Sequence, residues 1–222
     1  MKTLVVSATQ MELNPILQRA VKLRSIDSVL GTYKLEGKTF DILCTGVGMV
    51  ATAYHLGRVL VSGNYDRVIN LGIAGSFDKT ILIGAVVEII EDQFSELGAE
   101  DGDEFIPLSE LGFGIGNHSS TNTSVLTNQQ KAWVLSYPKL RAITVNTAHG
   151  SEGEISKIKQ RLHPQVETME GAAFFFACKM AGVECIQIRA ISNYVERRNK
   201  TTWDIPSAVK NLNEEIMKLL LS

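Results

Sequence analysis

Runs of apolar, β-branched residues alternate with stretches of helical period along the chain. Residues 3–8 (TLVVSA) predict a first strand. Over 10–23 the apolar positions Leu13, Ile16, Leu17 and Ala20 recur at spacings of three and four, which is one face of a helix. Two short apolar runs, 33–36 and 40–45, flank Gly37-Lys38 and predict a hairpin. A helix follows over 50–62, then a buried strand over 67–71 (RVINL) that ends in a glycine turn at 72–75. Further strands are expected at 85–90, 141–145 and 185–190, and further helices near 152–162, over 171–181 and over 206–221. Pro206 suits the first turn of the last helix, where a missing N–H removes no hydrogen bond. Strands alternating with helices predict an α/β fold, a three-layer sandwich with a central mixed, mostly parallel sheet flanked by helices. The length fits a single domain over 1–222. Only 95–122, rich in glycine, acidic and hydroxyl residues, resists this reading. Its length points to a functional loop or an interface element.

Composition narrows what such a fold can serve. The chain is 45% hydrophobic and 21% charged, ordinary for a globular protein, with a formal net charge of -2. A nucleic-acid partner would need a basic stripe, and the sequence has none. Cys44, Cys178 and Cys185 form no CxxC pair and sit in apolar runs, as reduced, buried thiols do in the cytoplasm. His55, His118, His149 and His163 are scattered without HxxxH spacing, so neither a metal nor another cofactor is expected. No apolar run approaches the ~20 residues that cross a bilayer, and the N-terminal one is too short for a signal sequence. The expectation is a cytoplasmic protein that engages no membrane.

Three patterns have bland explanations. Gly46-Val47-Gly48 opens a helix after a strand and matches a dinucleotide-binding turn, which would suit a NAD-dependent oxidoreductase. That fingerprint belongs to the first strand–helix turn and needs an acid at the end of the next strand, whereas Asp66 lies at its beginning. A tight turn that lets a helix pack closely accounts for the glycines better. Asp101-Gly102-Asp103-Glu104 misplaces its glycine for an EF-hand and reads as a solvated acidic turn. Phe174, Phe175 and Phe176 point in three directions on a helix, so they read as core or interface.

The chemistry concentrates where strands end. Glu12 lies in the first turn after the first strand, Glu170 precedes a small-residue helix, and Asn193 follows the apolar run IQIRAIS. In open α/β sheets ligands bind at the carboxyl ends of strands, so these three can converge. Taken singly, each glutamate could merely complement a helix dipole, and Asn193 could cap a turn.

The local strings go further. ETMEGAA (167–173), IRAISN (188–193), SATQMEL (7–13) and NLGIAG (70–75) appear in the order found in the methylthioadenosine/S-adenosylhomocysteine nucleosidase group of the nucleoside phosphorylase/hydrolase superfamily. The chain resembles that group along nearly its whole length. Within it, DQFSELGAEDG (92–102), TVNTAHGS (144–151) and the tail 191–206 resemble the futalosine hydrolases of the alternative menaquinone pathway.

The resemblance implies an N-glycosidase acting on a small nucleoside, and a homodimer or larger homo-oligomer. It makes Glu12 the acid/base residue that positions water, and Glu170 the ligand of the ribose hydroxyls with Met169 against the sugar. Asn193 falls beside N7 of the purine. Ala74, Gly75, Ala148, His149 and Tyr194 become substrate-binding candidates, with Arg197 and Arg198 in a lid and 94–107 covering this site or a neighbour's. Adenine-releasing relatives carry Asp at the position of Asn193. An amide has two N–H donors, suited to N7 and O6 of a 6-oxopurine, which favours hypoxanthine as the leaving base. The alternatives are an adenine-releasing nucleosidase and a non-catalytic nucleoside sensor. No arginine or lysine stands in 9–18, and none follows the NLGIAG turn before Lys79, so phosphate lacks its usual partners and water is the expected nucleophile.

Overall fold

The computed structural model describes residues 1–113, 125–127 and 135–221. In chain order it runs β1 (Thr3–Ser7), α1 (Gln10–Arg19), β2 (Val21–Ser25), β3 (Leu30–Leu35), β4 (Lys38–Cys44), α2 (Met49–Ser62) and β5 (Arg67–Ser76). Then come β6 (Val86–Gln93), β7 (Gly98–Asp101), β8 (Glu104–Pro107), β9 (Val125–Thr127), β10 (Lys139–Thr144), α3 (Glu152–Leu162) and β11 (Val166–Thr168). The chain closes with α4 (Gly171–Ala181), β12 (Glu184–Tyr194), a short 3-10 turn (Lys200–Thr202) and α5 (Ile205–Leu221).

One mixed sheet takes all strands except the β7–β8 hairpin. At its middle, β4, β1, β5 and β12 run parallel, each paired with the next. Beyond them β6 pairs antiparallel with β12, and β2 and β3 continue from β4 as an antiparallel flank. The short β11 pairs with both β10 and β5. Helices α2 and α4 cover one face, sealing Leu56, Val59, Phe174 and Phe175 against it. Helices α1 and α5 cover the other with Leu13, Ile16, Leu212 and Ile216. The expected three-layer α/β sandwich is the observed one. Strands covered on both faces are mostly apolar rather than alternating, which is why β5 and β12 read as near-continuous runs broken only by a few buried polar residues such as Asn70, Gln187 and Arg189. Phe174 and Phe175 are core, as expected, and Phe176 packs at its edge. Among the described residues no helix is long and apolar enough to cross a membrane.

Several boundaries differ from the sequence reading. The first helix stops at Arg19, and Val21–Ser25 is instead an exposed edge strand hydrogen-bonded to β3. Residues 72–75 are not a turn. They lie inside β5, where glycines leave room for neighbouring side chains. Asn193 is within β12, at an irregularity in its register with β5. Part of 95–122 folds as the β7–β8 hairpin with Gly102 at its turn (φ 64°), while residues 114–122, with His118, lie outside the described residues.

Candidate active site

A cavity of about 270 Å³ opens where β1, β5, β11 and β12 reach their carboxyl ends. Glu12, Ala74, Gly75, Ala148, His149, Met169, Glu170, Asn193 and Tyr194 all line it. So does Arg198, its guanidinium 5.0 Å from the centre of the Trp203 ring, whereas Arg197 faces a different hollow. The β7–β8 hairpin borders a second, adjoining hollow that also reaches Ala148 and His149.

Glu12 is the most firmly held of these groups. Thr9 caps α1, and Glu12, three residues on, returns the bond in a capping box. Its Oε2 accepts from Ser7 Oγ (2.9 Å), Thr9 N–H (3.0 Å) and Thr9 Oγ1 (2.9 Å). Among the described residues its Oε1 accepts only the Ile73 N–H, at 3.0 Å, and keeps lone-pair capacity toward the cavity. Behind it, buried Asn213 of α5 donates to the Glu12 carbonyl (2.8 Å) and accepts from Ile16 N–H (3.3 Å), so α1 cannot shift without α5.

Glu170 stands at the N-cap of α4 yet makes no side-chain cap. Threonines from two strands replace it. Thr144 Oγ1 accepts the Ala172 N–H at 2.7 Å, and Thr168 Oγ1 accepts the Gly171 N–H at 3.2 Å. The freed carboxylate turns toward α2, where Oε1 accepts the Gly48 N–H at 2.9 Å. Gly48 has φ 98°, a conformation that side chains disfavour, and this gives the Gly46–Gly48 turn a function the sequence reading did not assign. Burial raises the Glu170 pKa above its usual range, opposed by the charge of Arg189.

Arg189 is the residue the sequence reading passed over. It is 1% exposed, inside β12, and its charge acts on Glu12, Glu170 and Asp92. Its Nε and Nη2 donate to Gln187 Oε1 (3.0 and 2.9 Å), and Gln187 Nε2 donates to Asp92 Oδ2 (3.1 Å). Burial pushes Asp92 up to about 6, against its bonds to Gln187 and Thr144. Gly72 makes this possible, because a Cβ there would overlap the guanidinium and come within 3.0 Å of Glu12 Oε1. The available signal was an arginine interrupting an apolar run, since a buried cation demands anionic company.

At the other end, the Ser192 hydroxyl donates to Asn193 Oδ1 (2.8 Å), and Asn193 Nδ2 donates to the Tyr194 carbonyl (3.0 Å). One amide N–H remains for a ligand, where two were expected. Glu167, also unassigned by the sequence, holds His149 by its backbone N–H (3.0 Å) and by Nδ1. Among the described residues no group of three or more His, Cys, Asp or Glu is placed to hold a metal ion.

Comparisons with known proteins bear on the family and the fold. The Phosphorylase superfamily model matches residues 2–222. A futalosine hydrolase of Acidothermus cellulolyticus is 33% identical over 187 residues, 82% of this chain and 75% of that protein. A futalosine hydrolase of Streptomyces coelicolor is 30% identical over 81% of this chain and 78% of its own length. Among solved structures, the methylthioadenosine/S-adenosylhomocysteine nucleosidase of Colwellia psychrerythraea, in complex with adenine, superposes with a TM-score of 0.80. It is 20% identical and covers 99% of this chain and 94% of its own.

Proposed function

This chain belongs to the Phosphorylase superfamily and, within it, to the futalosine hydrolase family, and we propose that it hydrolyses futalosine to hypoxanthine and dehypoxanthinyl futalosine in menaquinone biosynthesis. One observation carries the reading: two carboxylates, each held by backbone N–H groups, share one cavity with an amide whose orientation is fixed. Glu12 accepts a proton from water through Oε1. The water oxygen bonds to C1′ of the ribose as the bond from C1′ to the base nitrogen breaks, and the bonding pair leaves with the base. The proton held by Glu12 then passes to a base nitrogen, so nucleoside and water give free sugar and neutral hypoxanthine. Glu170 binds the ribose hydroxyls, with Met169 against the ring, and its charge favours the developing oxocarbenium ion.

Asn193 donates its remaining N–H at the N7 and O6 edge, where charge accumulates on the departing base. Its other N–H is held by the Tyr194 carbonyl, which can only accept, so turning the amide over to accept from the amine of adenine would set two oxygens against each other and lose that bond. Ala74, Gly75, Ala148, His149 and Tyr194 complete the substrate cavity. Water rather than phosphate as nucleophile is supported by Arg189, which is buried and engaged by Gln187, and by Lys79, which pairs with Glu196 at 2.9 Å. Met11 and Val47, both exposed, line the cavity, and Val50 and Tyr54 are exposed four residues apart on α2; these apolar side chains suit a second copy in a homodimer or larger homo-oligomer. The test is futalosine turnover with and without phosphate. Hypoxanthine and free sugar in both buffers support the reading; dependence on phosphate with a sugar 1-phosphate product, or no base release, overturns it.

A further inference from the structure

We propose that His149, oriented by Glu167, reads the N1–H of a 6-oxopurine and so selects the base from the side opposite Asn193. This rests on the hydrolase reading above and deepens it.

Glu167 lies in β11, opposite Gly75 of β5 and beside Ile143 of β10. Successive strand residues face opposite ways, and Thr168 next to it is turned to Thr144 and the start of α4. Glu167 itself is 6% exposed, with its carboxylate on His149. One oxygen accepts the His149 backbone N–H and the other meets ring Nδ1. This two-point grip fixes both the backbone and the ring, and Phe77 meets the ring edgewise, 6.4 Å between centroids.

A carboxylate only accepts, so Nδ1 carries the hydrogen. In the neutral ring Nε2 is then an acceptor. Among the described residues Nε2 has no hydrogen-bond partner, and the residue lines the same cavity as Asn193. Hypoxanthine presents a hydrogen at N1, where adenine presents a lone pair. The neutral imidazole therefore pairs with the first and opposes the second. It supplies what Asn193, with one N–H committed to Tyr194, cannot supply alone. Discrimination is large when the wrong partner leaves a buried polar group unpaired.

The test uses the full chain, futalosine and its 6-amino counterpart, which differ only in the base. The kcat/KM ratio is measured for wild type, His149→Phe and Glu167→Gln, and the tautomer of His149 is read from ring 15N shifts. His149→Phe should shrink the preference for futalosine by about ten- to hundredfold, with the loss on the 6-oxopurine side. Glu167→Gln should shrink it too, with the ring hydrogen moving toward Nε2. A pair that merely tied 146–151 to β11 would lower both substrates together. An unchanged ratio in His149→Phe, or a wild-type Nε2 that carries the hydrogen at neutral pH, overturns the inference. Should His149→Phe not fold, Glu167→Gln and the wild-type spectrum decide. A wild type that cleaves neither nucleoside takes down the hydrolase reading and this inference with it, whereas hypoxanthine release with an unchanged ratio fails the inference alone.

Discussion

Glu12 and Glu170 both stand at helix N-termini around one cavity, and they are held in opposite ways. Glu12 is bound into the cap of its own helix, with three donors on one oxygen and a single N–H on the other. Glu170 occupies a cap position but is released from capping, because Thr144 and Thr168 satisfy the first N–H groups of α4. Its carboxylate accepts instead from the Gly48 N–H at the start of α2. The first arrangement suits a base that must hold one lone pair still against a water. The second suits a carboxylate that must keep acceptor capacity for two hydroxyls. On the proposed mechanism the same residue type at the same kind of helix end serves two tasks, and the difference lies in who caps the helix.

Breaking the fixed carboxylate should have the largest effect. Glu12→Gln removes the base, so kcat should fall by roughly 10²–10⁴-fold in steady-state assays while the protein still melts cooperatively. Glu170→Gln should act on kcat/KM by about ten- to hundredfold, the scale of charge-assisted hydrogen bonds to a diol. Because burial raises the Glu170 pKa, wild-type kcat/KM should decline on the acid side above the usual glutamate range as that acceptor is protonated. Thr9→Ala sharpens the contrast. It should cost about 1 kcal/mol of stability through the lost cap, and lower kcat through a loosened Glu12, without touching sugar affinity.

The last effect is on stability rather than turnover and concerns the support beneath. Burial raises the Asp92 pKa from its ordinary 3.8 to about 6, so the folded state binds more protons between those values. Stability tied to this group therefore falls as pH rises from about 4 to 6, by roughly 3 kcal/mol at most. Asp92→Asn lacks this titration. Its stability relative to wild type, from denaturant melts, should improve across that window and stay level above it. A flat difference from pH 4 to 7 would contradict the assignment.

Much of this was legible in the sequence because the elements are short and strongly patterned. Leu13, Ile16 and Leu17 mark the helix face that packs on the sheet, and the apolar run of β12 marks a strand covered on both sides. The helix stop at Arg19 was not legible, since Val21 and Leu23 extend the apolar pattern but serve an exposed edge strand whose partner is distant in sequence. Glu12, Glu170 and Asn193 could be picked out from motif strings at strand ends. The bonds that give them different characters join residues far apart: Gly48 to Glu170, Thr144 to Ala172, Glu167 to His149. In the sequence Gly72 reads as a turn because glycine also breaks strands. Its use here, space for a buried arginine, appears only once β12 lies beside β5.

The proposed function has one main consequence: the cavity releases hypoxanthine in preference to adenine. Its most direct test is one competition, in which wild-type protein receives equimolar futalosine and its 6-amino counterpart without phosphate, and the free bases are quantified over early turnover. The account predicts hypoxanthine ahead of adenine by about a hundredfold or more, as expected of a site whose polar groups pair only with the 6-oxo base. Adenine released as fast as hypoxanthine, or faster, would contradict it.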